Sequence, residues 1–199
     1  TGLEDYKPAG NAEAAKALMD KAKTTCPAEY AKATDPKRGL VFDTADSETN
    51  KKGAAIWIDS MMKNAGIVMK FNFIEPGSYY AVVLDATKQS DLSAGGWAPD
   101  WANASTVIPE LFASFGGFNI SQNTGDPAYK AFEAKVNLAM KTTDRKKQSQ
   151  MWKELNAEAM KNFWVLPTLF GKAQEVWGSQ LANVFFWVPQ GNPAYGKIW

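Results

Sequence analysis

The sequence predicts an α/β fold in which a mixed, mostly parallel sheet is flanked by helices. Three consecutive segments indicate this class. Residues 40–42 form a short apolar run typical of a buried strand, residues 51–65 repeat apolar side chains at helical spacing, and residues 67–74 alternate as a strand does. A strand, a helix and a second strand of these lengths predict a right-handed crossover with parallel pairing.

The chain before the first strand is predicted as one helix and one loop. Asn11 is a suitable N-cap, and apolar side chains then recur at helical spacing until about Lys23. Residues 24–38 contain Cys26-Pro27 and Asp35-Pro36, which favour a loop in which residues 28–33 could form one turn of helix.

The crossover helix and the segments after the second strand follow from similar signals. Gly66 is the natural residue to end the crossover helix, whose predicted buried face is Ala54, Ile58, Met61, Met62 and Ala65. Pro76-Gly77 then breaks the chain, Ser78 is the predicted cap of a short helix, and residues 91–97 are the next predicted strand. Residues 95–101 therefore lie at the carboxyl end of a strand, where ligands bind in open α/β sheets.

The second half of the chain is predicted to be mainly helical up to residue 163. Ser105 is the predicted cap of one helix, Asp126-Pro127 opens another, and Thr143-Asp144 starts a third. The inward side chains of the third helix are predicted to be Trp152, Leu155, Ala159 and Phe163. Residues 164–170 are predicted as an edge strand or crossing segment, residues 176–178 and 183–188 as strands, and the last eleven residues as irregular.

The basic side chains of Arg145, Lys146, Lys147 and Lys153 lie on the third predicted helix of this half. They could bind an anion, but a charged face in contact with solvent is the favoured interpretation.

Composition excludes several classes of function. The chain has 199 residues, 45% hydrophobic composition and a formal net charge of +1 without a long basic run, so nothing indicates a nucleic-acid partner. Histidine is absent, which removes histidine-dependent triads and histidine-ligated metal sites, and Cys26 has no internal partner for a disulfide. Glycine-rich phosphate motifs and a GxSxG elbow are also absent, so no catalytic residue, cofactor or metal site is predicted.

The stretch Gly95-Gly96-Trp97-Ala98-Pro99-Asp100-Trp101 is the candidate ligand anchor. Glycines permit close approach of the backbone, the two tryptophans and the proline make stiff apolar surroundings, and Asp100 adds one carboxylate. An acid in such surroundings either pairs with a fixed cation or binds one that arrives. The alternative is a strand-to-loop corner with an exposed aspartate.

Four stretches occur in an order that resembles a known family. The first stretch is Tyr6-Lys7-Pro8 followed by residues 14–19, and the second is residues 40–49 followed by residues 54–67. The third is the Gly96–Trp101 motif. The fourth is the helix from Arg145 to Leu155, followed by Trp164-Val165-Leu166-Pro167. Together they resemble the C-terminal part of the extracytoplasmic solute-binding proteins of family 5, the peptide-, nickel- and oligopeptide-binding components of ABC importers. The resemblance covers nearly the whole chain.

This resemblance implies a periplasmic-binding-protein-like (type II) lobe. Members of the family are considerably longer, and two hinged lobes enclose their ligand. Residues 1–168 would form the second, C-terminal lobe, and residues 169–199 would return toward an N-terminal lobe that is missing here. The implied protein lies outside the cytoplasm, in the periplasm or at the cell surface with an anchor in the missing N-terminus, and delivers its solute to an ABC permease in the membrane.

The resemblance also implies roles for the residues of the motif. In peptide-binding members the aspartate of this motif pairs with the α-ammonium group of the ligand, which assigns that role to Asp100. Gly96 and Ala98 would offer main-chain groups to a peptide, Trp97 would wall the pocket, and Trp101 would keep an aromatic wall. Pro99 departs from the usual alanine and removes one donor. An oligosaccharide ligand stacked on the two tryptophans, and a hydrolase that uses Asp100, are the alternatives.

Overall fold

The computed structural model describes residues 10–168, 174–187 and 192–199, which fall into two compact units that meet in the sequence at Gly95 and Gly96. Parts of three predicted segments lie outside the described residues: Tyr6-Lys7-Pro8, the end of the 164–170 segment, and Val188 with the three residues that follow it. No helix in the described ranges has both the length and the apolar character needed to cross a bilayer.

A parallel sheet forms the first unit, as the sequence predicted. Strand β1 (Leu40–Ala45) lies between β2 (Met69–Ile74) and the short β3 (Leu92–Ser93), and it pairs in parallel with both. Helix α3 (Glu48–Ala65) connects β1 to β2, and Gly66 ends it in the left-handed conformation at a φ of 68°. The prediction of a strand over residues 91–97 was too long, because the chain leaves β3 at Ala94 and enters two glycines, which have no side chains to pack on a sheet.

Three helices beside the sheet differ from the prediction in detail. Helix α1 (Ala12–Thr25) begins as expected, with the Asn11 side chain accepting from the Ala14 N–H at 2.9 Å. Residues 24–38 were predicted as a loop, but Pro27 starts a full helix, α2 (Pro27–Thr34), because proline fits the first helical position. Ser78 takes the N-cap position of α4 (Tyr79–Val83) as predicted, but its side chain makes no capping hydrogen bond. The Glu75 carboxylate instead caps the preceding 3-10 turn, Pro76–Ser78, by accepting from the Ser78 N–H at 2.9 Å.

The buried face of α3 is rotated relative to the prediction. Ala54 is buried as expected, but Ile58 and Met62 are 42% and 48% exposed. The ring of Trp57 instead packs against Phe42 of β1, with 5.5 Å between ring centroids. Two apolar stripes run side by side along this helix, and packing against the sheet selects the one that carries Trp57.

Asp43 joins three segments of the first unit. Its side chain is fully buried in β1 and accepts hydrogen bonds from Asn72 Nδ2 of β2 at 2.9 Å and from the Ser90 hydroxyl and N–H at 2.7 and 2.6 Å. Its backbone carbonyl accepts from the Tyr79 hydroxyl at 3.2 Å. Strand β1 therefore runs past the predicted residues 40–42, and Asp43 has a structural role inside the sheet.

The second unit packs three helices around an aromatic core. These are α5 (Ile108–Phe112), α6 (Tyr129–Lys141) and α7 (Arg145–Lys161), and Phe112, Phe132 and Leu155 lie at the centre of the core. The predicted cap of α7 is correct, since Asp144 accepts from the Lys146 and Lys147 N–H groups. Trp164 packs against this core, and its indole N–H donates to Asp126 at 3.0 Å.

Three predictions for the second unit were wrong. Phe163 is 81% exposed rather than inward, because the chain leaves α7 at Asn162 and Phe163 has a positive φ of 56°. Ser105 does not cap a helix; Asn103 caps a 3-10 turn, Ala104–Thr106, ahead of α5. Asp126-Pro127 precedes a turn, and α6 begins two residues later at Tyr129.

The described C-terminal residues form little regular structure. Residues 164–168 and 176–178 are not strands, because neither pairs with a neighbouring segment. Within the predicted strand at 183–188, β4 (Phe186–Trp187) pairs in antiparallel fashion with β5 (Asn192–Pro193), which lies in the tail that was predicted to be irregular. A 3-10 turn over Tyr195–Lys197 follows.

Acid is expected to weaken the second unit through Glu133. The Ser114 hydroxyl, the Tyr129 hydroxyl and the Ser114 N–H all donate to this carboxylate at 2.6–2.9 Å and hold the pKa of Glu133 below its ordinary value. A carboxyl group with a lowered folded-state pKa contributes stability above its unfolded pKa, and that contribution is lost as pH falls through the folded pKa.

The change Glu133→Gln should therefore cost on the order of 1 kcal/mol near neutral pH and little in acid, below both pKa values of Glu133. Urea unfolding at a series of pH values from neutral into acid measures the difference, with Glu154→Gln on α7 as the control. A loss that stays constant down to the pH at which the wild-type carboxyl group is protonated would contradict the linkage.

Candidate ligand-binding site

Thr106 organises the loop that carries the predicted motif. It is buried at the end of the turn that Asn103 caps. Its carbonyl accepts from the Trp97 indole N–H at 2.7 Å, and its hydroxyl donates to Asp100 Oδ2 and accepts from the Asp100 N–H at 3.3 Å. One buried threonine therefore fixes both the indole and the carboxylate of the motif.

Asp100 presents an oriented carboxylate to solvent. The residue is exposed, and one of its two oxygens accepts the hydroxyl of Thr106. Within the described ranges no lysine or arginine forms an ion pair with it. Such a carboxylate is available to accept a charge-assisted hydrogen bond from a cationic ligand.

The two tryptophans of the motif differ in exposure. Trp97 is half-buried, and 5.0 Å separates the centroid of its ring from that of the Phe118 ring, so a neighbour packs against one side of the indole. Trp101 is 55% exposed, and its indole N–H donates to the Ser105 hydroxyl at 3.1 Å. The ring of Trp101 therefore offers an apolar face in a set orientation.

The backbone of the motif is open. Gly96 and Ala98 are both exposed, and a Cβ added to Gly96 would have no heavy atom within 4 Å. The space that a glycine leaves is thus free for another molecule to approach the main chain. Pro99 has no N–H to offer, so a ligand would have to use the groups on either side of it.

A groove of about 1160 Å³ runs beside this loop in the second unit. We call it the α7 groove, and it lies between the loop containing Pro99 and Trp101 and one face of α7. Asn103 on the loop donates to Gln148 of α7 at 3.0 Å, and buried Gln148 donates to the Ala139 carbonyl at 3.0 Å. The remaining residues that line it are Ala102, Ala104, Ser105, Val107, Ile108, Met140, Arg145, Ser149, Trp152, Lys153 and Asn156.

The structure brings together only some of the predicted site residues. Trp97 and Asp100 both bond to Thr106. Of the five predicted residues, Trp101 lines the α7 groove; the others, Gly96, Trp97, Ala98 and Asp100, lie outside its lining. Sequence reasoning missed Thr106 and the Asn103–Gln148 bond. The run Asn103-Ala104-Ser105-Thr106 was a usable signal, because such residues fold back onto nearby backbone groups in loops.

Comparisons with known proteins give matches in structure but not in sequence. No family model and no curated protein sequence matches this chain. The substrate-binding domain of an oligopeptide ABC transporter from Bacillus anthracis matches with a TM-score of 0.67 and 19% identity, over 95% of this chain and 35% of that one.

Two further solved structures are similar over a smaller part of this chain. The Escherichia coli murein tripeptide binding protein MppA matches with a TM-score of 0.56 and 22% identity, over 73% of this chain and 27% of that one. NikA from Brucella suis, in complex with Fe(III)-EDTA, matches with a TM-score of 0.53 and 15% identity, over 72% of this chain and 29% of that one. This chain therefore spans about a quarter to a third of the length of the proteins it resembles.

Proposed function

We propose that this chain has a solute-binding role. The premise is its fold: the chain has the periplasmic-binding-protein-like fold of the ABC substrate-binding proteins, as its sequence predicted. In this proposal the chain is part of a component that captures peptides or similar small solutes outside the cytoplasmic membrane and delivers them to an ABC permease. It acts by binding, without a catalytic step.

The observation that carries the proposal is the state of Asp100. Its carboxylate is exposed, oriented by Thr106 and not neutralised by a lysine or arginine of the described chain. A peptide ammonium group supplies three donors and a positive charge, so it complements such a carboxylate. Exposed main-chain groups at Gly96 and Ala98 could pair with the peptide backbone, which gives affinity without reading side chains.

The C-terminal segment fits the proposal that a second lobe completes the protein. Phe185, Trp187, Tyr195 and Trp199 are each between 47% and 80% exposed within the described residues. Exposed aromatic surface of this kind usually marks a contact with another protein surface. We propose that residues 169–199 return to an N-terminal lobe, that residues 1–168 form the second lobe, and that a peptide binds where the two lobes close.

An oligosaccharide is the second candidate ligand, because the exposed ring of Trp101 could stack on a sugar. Calorimetric titration of a two-lobed protein that contains this chain, with trialanine and with maltotriose, separates the two. We expect heat of binding from the peptide alone, and much weaker binding of the peptide by the 199-residue chain. Binding of maltotriose without binding of trialanine would overturn the peptide proposal.

A further inference from the structure

The α7 groove holds two cations and no acid. Arg145 and Lys153 line it, while none of its lining residues is aspartate or glutamate. Neither cation forms an ion pair within the described part of the chain; Arg145 donates to the neutral oxygen of Gln148 at 3.3 Å. Lys146 and Lys147, which the sequence groups with them, lie outside the lining. The helix therefore turns two of its five basic residues toward one concave surface.

Trp152 supplies a second, independent observation. It lines the same groove, is only 5% exposed, and its buried indole N–H has no hydrogen-bond partner among the described residues. A buried donor without an acceptor is costly and uncommon in folded proteins, so this wall of the groove contains an unsatisfied donor.

The remaining lining combines apolar side chains with uncharged polar ones. Pro99, Val107, Ile108 and Met140 contribute hydrocarbon, and Trp101 offers its half-exposed ring. The hydrogen bond between Asn103 and buried Gln148 ties the loop side of the groove to α7, so the two walls are joined before any ligand binds.

From these contacts we infer that the α7 groove is a binding site for an organic anion, namely a carboxylate on a flat apolar body. The guanidinium of Arg145 and the ammonium of Lys153 attract the carboxylate, and the body lies against Trp101 and the hydrocarbon wall. Since the two cations are eight residues apart, or about 12 Å along the helix, one makes the direct contact while the other raises the local potential. This site is distinct from the ammonium site proposed at Asp100.

Titration of the 199-residue chain with 2-naphthoate, 2-naphthamide and inorganic phosphate tests the inference. We expect 2-naphthoate to bind, and the neutral amide and the phosphate ion to bind about tenfold more weakly or not at all, because each lacks one half of the recognised chemistry. Salt should weaken naphthoate binding. Equal binding of naphthoate and naphthamide, or of naphthoate and phosphate, would overturn the assignment.

Matched charge variants locate the site on α7. The double change Arg145→Gln with Lys153→Gln should weaken naphthoate binding about tenfold or more, while Lys146→Gln with Lys147→Gln, which removes the same charge from the same helix, should change it little. Equal losses in the two double variants would show a general charge effect and sink the proposal. Because 2-naphthoate has no ammonium group, its binding tests the α7 groove independently of the role proposed for Asp100.

Discussion

Replacing Asp100 with asparagine is expected to weaken binding of a free-amine peptide by about 2–5 kcal/mol, because it removes one partner of a charge-assisted contact and leaves an ammonium group unpaired. The asparagine side chain has nearly the same size and can still accept from the Thr106 hydroxyl, so the loop should keep its shape. Calorimetry on a two-lobed protein that contains this chain measures the loss.

N-acetylation of the peptide supplies the second half of the same experiment. Acetylation removes the ammonium charge, so it should weaken binding to the wild type about as strongly as the substitution does. Once Asp100 has been replaced, acetylation should have little further effect, because the two changes remove the same interaction. Additive losses from the two changes would place the ammonium group somewhere else.

Thr106 offers a control that leaves the charge of Asp100 in place. Thr106→Ser keeps the hydroxyl that donates to Asp100, whereas Thr106→Val removes it from a buried position. If orientation of the carboxylate matters, the serine variant should bind peptide nearly as the wild type does and the valine variant more weakly. Equal binding by both would confine the effect of Asp100 to its charge.

Asp43→Ala is expected to destabilise the first unit by about 3 kcal/mol or more, since it leaves buried donors on Asn72 and Ser90 without their acceptor. Chemical unfolding followed by far-ultraviolet circular dichroism measures the loss. The control is Asp46→Ala, three residues along the chain, where the side chain is 44% exposed and forms a surface ion pair with Lys51.

The control substitution should cost less than about 1 kcal/mol, as surface ion pairs usually do. Similar losses in the two variants would contradict the structural role assigned to Asp43. The comparison also separates this buried carboxylate from Asp100, whose replacement should change ligand binding far more than stability.

Local signals were sufficient for most helices and for the parallel pairing of the first two strands. Asn11, Gly66 and Asp144 each mark a helix end through a hydrogen bond or a backbone angle confined to a few neighbouring residues. The parallel pairing of β1 and β2 followed from the length of the segment between them. These features depend on the chain within one element or one crossover, so the sequence can specify them alone.

The errors have a common physical origin in contacts between distant residues. Ile58 and Trp57 lie on adjacent stripes of α3, and only the ring of Phe42 in β1 decides which stripe is buried. Phe163 belongs to the same apolar period as Leu155, yet the helix ends before it, and Trp164 takes the place in the core. A periodic pattern identifies candidate faces, but packing chooses among them.

The sequence by itself determined the α/β class, the fold resemblance and the motif that carries Asp100, because each depends on short stretches of residues that are close together along the chain. Tertiary structure alone decided that Thr106 orients that carboxylate and that Asn103 reaches Gln148, 45 residues away. It also decided that Arg145 and Lys153, but not Lys146 and Lys147, line a groove with an unpartnered indole. The direction of a side chain depends on what packs beside its element, and that information lies elsewhere in the chain.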